Sequence, residues 1–246
     1  MVQKSTKYIY IMKILVAAII LAYSFIPQNI SEFTKGANGL LESQVNNGLV
    51  DYAAIAKDPA QIKQLYDEVG GISLEGASDA EKKAFYINAY NIVTIHQIIQ
   101  NYPVKSPMDI NGFFDKNKHK VAGASLTLNE LEKEHLLKDH FDARAHFVLV
   151  CAAMSCPPLA SFAYQADQLD QQLEERTREA LNNPEFIQVD KNKKKVRISK
   201  IFDWYKSDFT KNGASVLQYI NQYRSEKIPE SYKVGFYEYS WALNKQ

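Results

Sequence analysis

One short run holds both cysteines of the chain and one of its five histidines: Arg144-Ala145-His146-Phe147-Val148-Leu149-Val150-Cys151-Ala152-Ala153-Met154-Ser155-Cys156-Pro157-Pro158. A cysteine becomes a nucleophile when a neighbour favours its thiolate and a base stands within reach. Cys156 follows small residues and precedes two prolines, a turn-like setting that exposes a side chain. His146 is the nearest base in sequence, and Arg144 beside it can hold a substrate carboxylate. From His146 the chain is apolar and β-branched, which predicts a buried strand ending at the small residues. Extended chain rises about 3.3 Å per residue. His146 and Cys156 therefore meet only if the chain reverses after Cys151. The alternative is that Cys151 and Cys156 are small buried hydrophobes, or a disulfide closed by looping of Ala152–Ser155.

A third group is needed to orient the base, and two predicted helices offer one. Ser78 and Glu81 form a capping-box pattern ahead of Ala84-Phe85-Tyr86-Ile87-Asn88-Ala89-Tyr90-Asn91-Ile92-Val93-Thr94-Ile95-His96, a helix ending before Pro103. At about 100° per residue, Phe85, Ile92, Ile95 and Ile99 share one face. Asn88 falls in the middle of it and Asn91 beside it. A buried amide without partners costs roughly 1–3 kcal/mol, so these two either tie down a loop or line a cavity, where they would orient a catalytic group or bind substrate. Tyr90, Asn91 and Cys151 accordingly join Arg144 as substrate-contact candidates. His96 lies off the apolar face and is expected to be partly exposed. A second helix starts around Leu126-Thr127-Leu128-Asn129 with Thr127 or Asn129 as cap. It carries Glu132 and, three residues on, His135. The predicted catalytic set is Cys156 as nucleophile, His146 as base (His135 as a fallback), and Asn88 or Glu132 as the orienting group.

Other chemistries find little support. Two cysteines and dispersed histidines give no short-spaced metal-ligand pairs, so no metal site is expected. There is no phosphate loop, dinucleotide fingerprint or nucleophile elbow, and no cofactor is expected. The net charge is +1, which gives no electrostatic case for nucleic acid. The basic run Lys191–Lys195 sits between two apolar stretches and reads as the solvated turn of a β-hairpin. The expected partner is a small molecule or a peptide-like substrate.

The elements that must carry these residues follow from the periodicity. Residues 1–30 have a basic start (Lys4, Lys7, Lys13), an apolar run from Ile14 to Ile26 and a polar exit, the pattern of a signal peptide or N-terminal membrane anchor. Export is expected, to the periplasm, the cell envelope or the medium, and it permits a disulfide. Ser31 to Asp58 predicts one or two helices with a turn at Asn46-Asn47-Gly48. Ala60–Val69 and Asp167–Asn182 predict further helices. Phe186–Val189 pairs with Val196–Ile198, Val216–Tyr223 is helical, and Phe236–Leu243 is a last strand. With 15 tyrosines and 12 phenylalanines, a core is available without metals. Residues 31–246 read as a single α+β domain, helices packed around a small, mostly antiparallel sheet.

Several of these motifs together resemble the domain-of-unknown-function 547 family. They are Ala84 through Asn91 with Thr94-Ile95, Leu126 through Glu132, Arg144-Ala145-His146-Phe147 through Cys156-Pro157-Pro158, Ala163-Tyr164, Ile201 through Phe209, and Trp241-Ala242-Leu243-Asn244. The resemblance implies an α+β domain, often exported in bacteria. Its separate Cys, His and Asn positions are similar in kind to thiol hydrolases of the papain and transglutaminase type. Members of the family often carry Glu-His where this chain has Glu132-Lys133, and that departure favours His146 as base or a role without catalysis. Two functions are therefore expected. One is an exported thiol-dependent hydrolase or acyltransferase acting on an amide or thioester. The other is a non-catalytic binding module of the cell envelope, with the asparagines, the cysteines and the aromatic Ile201–Phe209 segment building its pocket.

Overall fold

A computed structural model describes residues 29–246. The signal or anchor predicted at residues 1–30 lies outside them except for Asn29 and Ile30, which open the first helix. Helix α1 (Ile30–Gln44) is capped by Asn29, and a two-residue hairpin, β1 (Val45–Asn46) and β2 (Leu49–Val50), follows. Asn47 and Gly48 turn that hairpin with positive φ, 49° and 81°, as a tight hairpin requires. A Cβ on Gly48 would sit 2.4 Å from Pro158, so the glycine lets the hairpin tip brace the prolines after Cys156. Helices α2 (Tyr52–Lys57) and α3 (Ala60–Gly71) lead to α4 (Asp79–Gln100). The capping box of Ser78 and Glu81 is fully formed at the start of α4.

Helix α4 is buried on every side from Ile87 to Ile98, as expected of a helix at the centre of a core. Around it pack α1, α2, α3 and a helix that begins as α5 (Leu128–Glu130) and continues as a π-helix over Leu131–Leu137. Thr127 caps α5 with Glu130 in a second capping box. The hairpin β3 (His119–Val121) and β4 (Ala124–Leu126) precedes it. This half of the molecule is one hydrophobic cluster, from Phe33 to Leu173 plus Leu243.

A second cluster centres on Phe147, Phe186, Phe202, Phe209 and Tyr219. It is built by α6 (Leu169–Asn182), the hairpin β5 (Ile187–Asp190) and β6 (Lys195–Ile198), the short helices α7 (Ile201–Trp204) and α8 (Lys206–Phe209), and α9 (Val216–Tyr223). Strand β7 (Lys233–Phe236) adds to β6 in parallel. The fold is α+β and predominantly helical, with its strands in three small sheets. No helix of the described residues is long and apolar enough to cross a membrane.

One predicted strand is not a strand, and another is displaced toward the N-terminus. His146 lies in a 3-10 turn, Ala143–Phe147, capped by Asp142, and Val148–Cys151 continues as irregular chain. The reason is local: Asn91 donates to the Val148 carbonyl and accepts from the Val150 amide, both at 3.0 Å. A side-chain amide thus occupies positions that a neighbouring strand would otherwise fill. The last strand ends at Phe236, earlier than expected. Beyond it the chain leaves the sheet as a strap over the first cluster, with Ala153 bridging Leu243.

Candidate functional site

Where the two hydrophobic clusters meet, Tyr239 packs against both, and beside it opens a cavity of about 270 Å³. Seams of this kind are common places for ligand sites. The polar part of the wall is Glu132, His146, Tyr205 and Asn129, and the sulfur part is Cys151 and Cys156. Aromatic rings supply most of the rest: Tyr90, Phe114, Trp204, Tyr239 and Trp241.

Each polar group is placed by a different element. Glu132 projects from the π-helix, whose extra residue per turn re-aims side chains relative to an α-helix and recurs at functional sites. His146 comes from the 3-10 turn and is 4% exposed. Its Nε2 lies 2.9 Å from Oδ2 of Asp208, on α8, and its ring packs on Tyr205 and Phe209 at 4.1 and 5.2 Å. The cysteines sit on the loop between the turn and α6. Ala152 reverses that loop with a left-handed backbone, φ 59°, so the reversal needed to bring His146 and Cys156 to one place does occur. Asn91 holds the entry to the loop at Val148 and Val150. Asn88, one turn earlier on α4, holds its exit: it donates to the Tyr164 carbonyl and accepts from the Tyr164 amide, both at 2.8 Å.

Cys151 and Cys156 form a disulfide, so neither is a free thiol. The Cys151 amide donates to Cys156 Sγ at 3.0 Å. The Tyr239 hydroxyl lies 3.2 Å from both sulfurs and, since a disulfide has no proton to give, it is the donor to each.

Burial sets the electrostatics. It raises the Glu132 carboxyl above its usual range, offset in part by the Tyr205 hydroxyl, His146 and Lys133, and reinforced by Asp208. Asp208 moves the other way, lowered chiefly by its hydrogen bond to His146. Burial also raises Tyr90, Tyr205 and Tyr239 well above the usual phenol range. At neutral pH these three phenols are therefore hydrogen-bond donors. Among the described residues, no group of three or more His, Cys, Asp or Glu side chains could hold a metal ion.

Five of the eight site residues proposed from sequence line this cavity: Cys156, His146, Glu132, Tyr90 and Cys151. The other three do not. Asn88 and Asn91 spend both amide atoms on backbone. Arg144 faces away, bonded to Asp142 at 2.9 Å and Asp170 at 2.7 Å, in a cluster completed by Lys83. The orienting partner of His146 is Asp208, which sequence reasoning missed. Its only signal was the aromatic density of Ile201–Phe209 around it. Tyr239 and Trp241 were hidden inside a predicted strand. His96, expected to be partly exposed, is buried and stacked 3.8 Å from Tyr66, because α4 has no solvent side at that level.

Comparison with known proteins adds one match. The family model described as "Protein of unknown function, DUF547" matches residues 74–181, which include α4, the π-helix and the cysteine loop; the Ile201–Phe209 and Trp241–Asn244 motifs lie beyond it. No curated protein and no solved structure matches the chain.

Proposed function

We propose, for a chain whose DUF547 domain comes without a stated activity, that the seam cavity is a small-ligand pocket of an exported protein, with Cys151–Cys156 as a structural pair in its wall. The sulfur–sulfur bond carries this reading. It occupies both Sγ atoms that a thiol mechanism needs free, while aromatic faces and buried polar groups still line the cavity. An oxidised pair agrees with export, and so does the basic-then-apolar pattern of residues 1–30.

A second reading, a thiol-dependent hydrolase or acyltransferase, is favoured by one observation. The Cys151 amide and the Tyr239 hydroxyl already point at Cys156 Sγ, and such donors stabilise a thiolate. After reduction by an external dithiol, itself oxidised to a disulfide, the Cys156 thiol would pass its proton to His146 and its Sγ would attack an amide or thioester carbonyl. The leaving amine or thiol would take its proton from His146, held by Asp208, and water or an acceptor would then release the acyl group.

Iodoacetamide labelling of the unreduced, folded protein, read by peptide mass, separates the two. The binding reading expects no label on either cysteine until reduction. Rapid labelling of Cys156 without reductant, well below the ordinary thiol pKa of about 8.5, would overturn it in favour of the thiol enzyme.

A further inference from the structure

We infer that the seam cavity takes a small organic cation, a methylated or quaternary ammonium group held over aromatic faces with the Glu132 carboxylate as counter-ion. This rests on the reading of the cavity as a ligand pocket and adds the chemical class of the ligand.

Three features of the wall point to a cation. The first is its rings. Aromatic faces carry the negative part of a quadrupole and attract cations, tryptophan most strongly. Trp204 and Tyr239 lie 4.8 Å apart at 57°, and Tyr239 and Trp241 4.8 Å apart at 54°. Tyr239, inclined in this way, makes a corner with each tryptophan, while the two tryptophans lie near parallel, 5.9 Å apart at 24°. Trp204 is 50% exposed, so its corner stands at the mouth.

The second feature is charge. Among the described residues, no lysine or arginine lines the cavity, whereas Glu132 does and is 6% exposed. The other acid nearby, Asp208, already spends an oxygen on His146 Nε2 at 2.9 Å. Beside Glu132 in the wall stands the Tyr205 phenol, and with His146 and Lys133 it offsets the burial of that carboxyl only in part. An anionic ligand would find no positive partner in the wall and would face this carboxyl. An ammonium group would supply the charge that Glu132 lacks and would keep the carboxylate ionised despite its burial.

The third feature is size. Pockets for drug-sized ligands run from about 300 to 1,000 Å³, and this one, at about 270 Å³, lies just below that range. It suits a compact head such as trimethylammonium. The same head occurs on free amines and on lipids, and a phosphocholine would bring a phosphate for which the wall offers no cation. We therefore assign a free small amine.

The protein contains its own reporter. Its two tryptophans, Trp204 and Trp241, both line the cavity, so all tryptophan emission arises there. The experiment titrates choline, and separately the neutral tert-butyl analogue of choline, into the full chain and its Glu132→Gln and Trp204→Ala variants. Phosphatidylcholine vesicles are added in a sedimentation arm. We expect a saturable emission change with choline, weakened about tenfold or more in either variant and with the neutral analogue. Trp204 is half exposed, so its replacement leaves the fold intact even if Glu132→Gln perturbs it. Sedimentation with the vesicles in preference to free choline would overturn the free amine as the source. Equal binding of choline and its neutral analogue would overturn the cation and leave the pocket reading standing. No response to either would overturn both.

Discussion

Asn88 and Asn91 present their side chains one helical turn apart, and each closes a pair of hydrogen bonds with the backbone of a distant segment. That they would either tie down a loop or line a cavity was legible, because a buried amide needs partners; the structure takes the first course for both. Which partners they would take was not, since Tyr164 lies 76 residues from Asn88 and Val150 lies 59 from Asn91. The same distance hid the Asp208 partner of His146, 62 residues away. At the Asn88 clamp, replacement by alanine leaves a buried N–H and a buried C=O without partners. We expect Asn88→Ala to lose about 2–3 kcal/mol of stability in urea unfolding. A loss under about 0.5 kcal/mol would mean that Tyr164 is not held by this amide. A second outcome belongs to the cavity. If Asp208 is the partner of His146, His146→Phe removes the bond that chiefly holds the Asp208 carboxyl low and raises the titration of that carboxyl, read in its carbon chemical shift. A titration that stays where it was would remove Asp208 from that role.

Helix boundaries were the most legible elements, because their caps are local. Ser78 with Glu81 formed as the spacing predicts, and of the two caps open at the next helix, Thr127 or Asn129, the chain uses Thr127. The apolar run after His146 misled because composition alone cannot tell a strand from irregular chain clamped by an asparagine. His96 misled because one apolar stripe implies a solvent side, and α4 has none there. The consequence is a buried pair of histidines between three elements: His96 on α4, His119 on β3, and Tyr66 of α3 stacked on the first and 3.2 Å from Nδ1 of the second. Burial lowers both histidines from the ordinary value to about 4, and for His96 the neighbouring His119 adds to the effect. Both therefore stay neutral in the folded chain while the unfolded chain takes up their protons from about pH 6.5 downward. Stability is fully present above about pH 6.5 and falls as pH drops toward about 4, at up to about 1.4 kcal/mol per pH unit for each histidine. The buried Glu132, on the π-helix packed against α4, acts in the opposite sense, because its raised carboxyl takes up a proton first in the folded chain, while Asp67 beside His96 lies at the surface, paired to Lys63. We expect urea midpoints measured through this range to fall more steeply for the wild type than for His119→Phe. Parallel curves would exclude the pair as the cause.

At the scale of the whole molecule, the class of fold was legible from the alternation of helical and hairpin signals, but the way its two clusters join was not. The join is made by the last ten residues, which carry no regular structure for a pattern to betray. From β7 in the second cluster the chain returns to the first, where Met154 donates to the Ala242 carbonyl at 2.8 Å and Asn244 to the Ala152 carbonyl at 3.0 Å. Val50 then donates to the Asn244 carbonyl at 2.9 Å, and the buried Tyr52 hydroxyl donates to Asn244 Oδ1 at 2.8 Å. Tyr239 and Trp241, two walls of the cavity, ride on this strap. The clusters should therefore unfold together, and the cavity should exist only while the strap is fastened. Replacing Asn244 by alanine strands the Tyr52 hydroxyl in the core, a loss of about 1–3 kcal/mol, and loosens the strap where it crosses α2. We expect tryptophan emission and far-ultraviolet circular dichroism to give one coincident transition in the wild type. In Asn244→Ala the emission should change first, at lower denaturant, because both tryptophans report the seam and the helices report the clusters. If the two signals still coincide in the variant, the strap is fastened elsewhere along its length; if they already separate in the wild type, the clusters are independent and the seam is not what unites them.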